Sequence, residues 1–62
     1  MKAERIARWA VAVSPQIAAN MAGISITTLG RWTSGQTEPT GAALRLLTAA
    51  VEAWEKTQTE AK

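Results

Sequence analysis

The sequence predicts an all-α domain of four helices, on three observations. Alanine is abundant, and alanine is the strongest helix former. No stretch alternates apolar and polar residues as a half-buried strand does, and no Asn-Gly or Asp-Gly hairpin signal occurs. Serine, proline and glycine fall where they divide the chain into four helix-sized segments.

Each segment has its own signals. Residues 2–13 set Ile6, Trp9, Ala10 and Val13 at i, i+3, i+4, i+7, one face of an amphipathic helix. Arg5 and Arg8 lie off that seam. Ser14-Pro15 then restarts the chain. Serine is a good N-cap, and proline fits the first helical position, where its missing N–H would be unpaired anyway. The second helix, Pro15–Ala22, has Ala18, Ala19 and Met21 as inward candidates, with Met21 filling a gap. Gly23 supplies the left-handed conformation that closes it. Ile24 is expected as a buried plug in the turn. Ser25 caps the third helix, residues 26–34, which Gly35 ends. Residues 36–39 form a loop. Thr40 caps the fourth helix, from residue 41 to at least 54, and residues 57–62 are expected as a polar, flexible tail.

Size and composition narrow the function. A 62-residue chain is one domain, and it buries only about 60% of its unfolded surface. It lacks a disulfide or metal staple, so a partner or second copy is expected to add stability. Without Cys, His or Tyr, thiol nucleophiles, imidazole bases and the common zinc sites are excluded. Five scattered carboxylates make no nucleophile–base pair, so neither an enzyme nor a cofactor is expected. The net charge of +2 is uneven: residues 1–45 carry +3 and residues 46–62 carry −1. A basic body with an acidic tail suits a polyanion. No apolar run nears the roughly 20 residues that cross a bilayer. The start is too charged for a signal peptide, so a cytoplasmic protein is expected.

The third helix is the most informative. Ile26, Thr27, Thr28, Gly30, Thr33 and Ser34 are all indifferent or poor helix formers, and a mid-helix glycine costs roughly 1 kcal/mol against alanine. Something other than helix stability selects them. At about 100° per residue, Leu29 and Trp32 point one way and Thr27, Gly30, Arg31 and Ser34 the other. Ile26 sits at the boundary. The outer face is one long cation among small side chains. A DNA major groove, about 12 Å wide, admits such a helix. Arg31 suits guanine O6 and N7, Thr27 and Ile26 suit a thymine methyl, and Gly30 lets the backbone approach.

Residues 14–47 resemble the Cro- and lambda-repressor-like helix-turn-helix family. The carrying residues are Gln16, Ala18-Ala19, Ala22-Gly23-Ile24-Ser25, Leu29, Arg31-Trp32, Gly35, Pro39 and Ala43-Leu44-Arg45-Leu46-Leu47. The resemblance implies a domain over residues 1–56, with the helix-turn-helix proper at 14–35. It implies base contacts from Arg31, Thr27, Ile26 and Ser25. Phosphate contacts would come from Gln16, Thr28, Ser34 and Gln36. It further implies a single-domain phage or mobile-element regulator: a homodimer on an inverted-repeat operator, repressing its own operon and nucleoid-associated when bound. Three departures stand out. Ala18 and Ala22 replace larger aliphatics, Gly30 replaces a contacting polar residue, and the usual fifth helix is missing or merged into the fourth.

The fourth helix, over residues 40–56, is expected to dimerise. Leu44, Leu47, Val51 and Trp54 form one stripe; Ala43, Leu46, Ala50 and Ala53 form a second. The plain reading makes both stripes core, but so small a domain has little to cover the second, so one stripe is expected to pack on the domain body and the other to meet a second protomer. The interface is assigned to Leu47, Ala50, Val51 and Trp54, with Trp54 as an anchor. The competing reading is a protein-binding adaptor or antitoxin that uses the surface around Trp54.

Overall fold

The computed structural model describes residues 1–60 and contains four helices: α1 (Ala3–Val13), α2 (Pro15–Ala22), α3 (Ile26–Thr33) and α4 (Gly41–Glu60). No strand occurs among the described residues. The chain is an all-α, four-helix domain.

Its core gathers around Trp9. Ile6, Trp9 and Ala10 of α1 are buried with Ala18, Ala19 and Ala22 of α2, Leu29 and Trp32 of α3, and Leu47 and Val51 of α4. Val13, Ile24, Ala43, Ala50 and Trp54 are partly buried against it. The division of labour is by size. The buried face of α2 is three alanines, so α1 and α4 approach it closely and supply the large side chains. Packing of this kind leaves little tolerance for added volume.

Three local devices set the joints. Ser14 stands between α1 and α2 with φ 88° and ψ 139°, a conformation rare for a residue with a side chain. Its Oγ accepts from the Ile17 N–H at 3.4 Å and its carbonyl from Ala18 at 2.9 Å. Gly23, at φ 69°, turns the chain after α2. There the Ile24 N–H donates to the Ala19 carbonyl and the Gly23 N–H to that of Asn20, at 3.0 and 3.2 Å. These are the two bonds of a Schellman motif. Ser25 caps α3, its Oγ accepting from the Thr28 N–H at 3.2 Å.

Several expectations are corrected. Met21 is 47% exposed, not inward. The alanines at 18, 19 and 22 define the buried face, and Met21 lies roughly 100° from its centre. Ile24 is half-buried rather than a sealed plug. Thr40 receives the Leu44 N–H on its carbonyl at 3.3 Å, and its hydroxyl has no partner among the described residues. Leu47 and Val51 are each 0% exposed. They fill the protomer's own core, where the α2 alanines leave room, and neither is available to a second copy. Ala50 and Trp54 are also packed against that core. Finally, α4 runs on through residue 60, beyond the expected start of the tail. The last two residues of that expected tail, 61–62, lie outside the described residues.

The helix contacts leave α3 in a particular place. It rests on α1 and α2, and its backbone stays clear of α4, with no α-carbon pair within 8 Å among the described residues. The roughly 30 Å length of α4 accounts for most of the molecule's longest extent, 34 Å.

Candidate nucleic-acid interface

The surface begins with α3 and its supports. Leu29 and Trp32 are buried and clamp the helix to α1 and α2. The clamp fixes which side faces out. Ser25, Ile26, Thr27, Gly30, Arg31 and Ser34 are all exposed, as are Gln36 and Thr37 beyond the helix. Apolar burial on one side has thus paired with presentation on the other.

Gly30 is the odd member. An added Cβ there would meet nothing within 4 Å. The glycine therefore relieves no crowding inside the protomer. Its backbone needs no glycine either, since it sits in the middle of a regular helix. The helix bears a cost of about 1 kcal/mol that nothing inside the domain explains.

Arg31 is next to it. The guanidinium is exposed and has no ion pair or side-chain hydrogen bond among the described residues. It is also isolated along the sequence. From Trp9 to Thr37 the sequence contains no other charged residue of either sign. By contrast, two other arginines are engaged. Arg5 pairs with Glu55, and Arg8 with Glu4 at 3.1 Å.

The remaining candidates fall into two groups at the ends of α3. At the start, Ser25 Oγ lies 3.0 Å from Thr28 Oγ1, with Thr28 half-buried. At the end, Gln36 Nε2 donates to Ser34 Oγ at 3.1 Å, and Ser34 Oγ donates to the Arg31 carbonyl at 3.2 Å. The Gln36 and Thr37 N–H groups reach the same carbonyl, at 2.9 and 3.4 Å. That cluster ties the chain after α3 to the turn that bears Arg31. Thr27 has no side-chain hydrogen bond among the described residues, and Ile26 is 47% exposed.

Gln16 stands apart on α2. Its Nε2 reaches Asn20 Oδ1 at 3.5 Å, one helical turn on, and no group of α3. Asn20, exposed beside it, was not among the sequence candidates. The i, i+4 spacing of two amides was the available signal.

What the surface offers is hydrogen-bond donors, hydroxyls and one cation around a bare strip of backbone. Among the described residues no cluster of three or more His, Cys, Asp or Glu is placed to hold a metal. Nor is any helix among the described residues long and apolar enough to cross a membrane.

No family model, curated protein or solved structure matches the chain.

Proposed function

We propose that this chain is a sequence-specific DNA-binding protein that acts as a transcriptional repressor, with α3 as its reading helix in the major groove. The observation that carries it is Gly30. It is exposed, costly to its helix and free of any neighbour that explains it, and it stands beside the unpaired Arg31. A helix that must lie close to a flat surface explains both. Arg31 reads a guanine with two hydrogen bonds, and Thr27 and Ile26 meet a thymine methyl. Ser25 adds a base contact at the start of α3, while Ser34 and Gln36 at its end contact phosphates and set register. Gln16 and Thr28 add to that set.

Repression follows by occlusion. Two copies on an inverted repeat place two α3 helices about 34 Å apart, in successive major grooves. The resemblance to the Cro- and lambda-repressor-like family supports this reading, as does the helix–turn–helix order of α2, Gly23 and α3. A regulator of a phage or mobile element that represses its own operon and works in the cytoplasm is the setting that fits. The adaptor or antitoxin reading has less support, because Trp54 packs against the protomer's own core.

The test is a binding assay on the DNA just upstream of the coding region. The parent is expected to protect an inverted repeat there. Arg31→Ala should keep its helical spectrum and lose about 1–3 kcal/mol of specific binding. Unchanged operator binding in that variant would sink the base-reading role.

A further inference from the structure

The outer side of α4 carries a pattern that the domain covers only in part, where Leu46 Cδ1 leans over Gly23. Ala42, Leu46, Ala49 and Ala53 recur at spacings of four, three and four, and all are exposed, Leu46 at 52%. That alternation averages 3.5 residues, the period by which one helix lies along another. Arg45 and Glu52 flank the line. They are seven residues apart and so share one flank. Both are exposed, they are opposite in charge, and neither has an ion pair among the described residues. On the other flank stand Ala43 and Ala50, already half-buried, and the exposed Thr57, none of them charged.

We infer that α4 pairs with α4 of a second copy of this chain, antiparallel, along Ala42, Leu46, Ala49 and Ala53. The register follows from the residues. Leu46 lies over the second copy's Ala49, and Ala42 over its Ala53. Two-fold symmetry repeats each contact in reverse, as a self-complementary patch requires. In that register Arg45 reaches the second copy's Glu52, and Glu52 its Arg45. The charges choose the direction. A parallel pair would set Arg45 opposite the second copy's Ala50 and stack Leu46 on Leu46, leaving all four charges unmatched. Large on small lets the axes come to roughly the short end of the 8–10 Å range.

The arrangement replaces the interface expected at Leu47 and Val51, which the core has consumed. The α3 backbone stays clear of α4, so the pairing does not run along α3. It supplies the second copy that the operator reading needs and rests on that reading for its purpose. Its test uses no DNA, so either can fail alone.

The experiment is sedimentation of the full chain at low salt. The parent is expected to form dimers at concentrations on the order of tens of micromolar. Arg45→Glu and Glu52→Arg should each weaken self-association about tenfold or more, through like charges set opposite each other. An equimolar mixture of the two variants should recover it, because each then meets its complement twice. Recovery on mixing also excludes misfolding as the cause of either loss. Leu46→Glu should be monomeric with an unchanged far-ultraviolet spectrum, and Arg31→Ala should sediment like the parent. A monomeric parent, an undiminished Arg45→Glu dimer, or a mixture that stays monomeric would each overturn the pairing.

Discussion

Arg5, in the first turn of α1, grips Glu55 of α4 with two hydrogen bonds. Its Nε donates to Oε2 at 2.8 Å and its Nη2 to Oε1 at 2.5 Å, across 50 residues of sequence. The contact ties the chain's first helix to its last. The Arg5 hydrogen bonds hold the Glu55 carboxyl below its ordinary value of 4.5; partial burial opposes the shift, and the Arg5 and Arg8 charges reinforce it. A carboxyl with a depressed folded value stabilises the fold above its unfolded pKa. That contribution fades as pH falls through the folded value. Glu55→Gln should therefore lower Tm modestly at pH 6, with the gap to the parent closing as pH drops below about 4.5. Both side chains keep 38–40% of their surface exposed, so added salt should shrink the gap as well. Paired thermal melts across pH check it, and a gap that widens in acid would contradict the assignment.

Ser14 separates strain from capping. Its φ of 88° is one that glycine adopts freely and serine does not. Ser14→Gly should relieve roughly 1–3 kcal/mol of backbone strain while giving up only a few tenths of the cap. Ser14→Ala keeps the strain and loses the cap, at about 1 kcal/mol. Urea unfolding is expected to rank Gly above Ser above Ala. The reverse order for Gly and Ser would mean that the turn is relaxed in solution.

Gly30 should reveal opposed demands. Gly30→Ala meets no atom within 4 Å, so it should stabilise the domain by close to 1 kcal/mol. The same methyl group would stand where DNA is proposed to approach, so operator affinity should drop. Unfolding and binding measured on one preparation would show the two changes with opposite sign. A variant that gained stability and kept its affinity would remove the reason given for the glycine.

Arg31→Lys addresses geometry rather than charge. Lysine keeps the cation and lacks the planar fork. Preference for the operator over random DNA should fall, while binding to random DNA and its salt dependence should hardly change. A gel-shift competition with unrelated duplex measures the ratio.

Much of the fold was legible because its signals are local. Ser14-Pro15 and Gly23 fixed α2 at Pro15–Ala22, and Ser25 fixed the start of α3. The face of α3 was legible too, since Leu29 and Trp32 share one side and leave Ile26, at the boundary, as the one other large apolar side chain of the helix. What failed to show was tertiary. Whether Leu47 and Val51 faced inward or outward depended on how deeply the small α2 alanines would admit α4, which the periodicity of α4 alone does not say. Met21 followed from the same alanines. The Arg5–Glu55 pair joins residues too distant in sequence for any spacing rule, and a serine at positive φ breaks the rule by which it would be sought.

Trp9 Nε1 is buried and has no hydrogen-bond partner among the described residues. It is part of a side chain that is 0% exposed at the centre of the domain. Its proton can meet water only when the whole core opens, whereas most backbone amides near helix ends exchange through local fraying. One indole resonance should thus outlast its neighbours in deuterated solvent. Its decay clocks the opening of the entire molecule, and repeating it with DNA present would weigh how firmly a bound operator holds the protein shut.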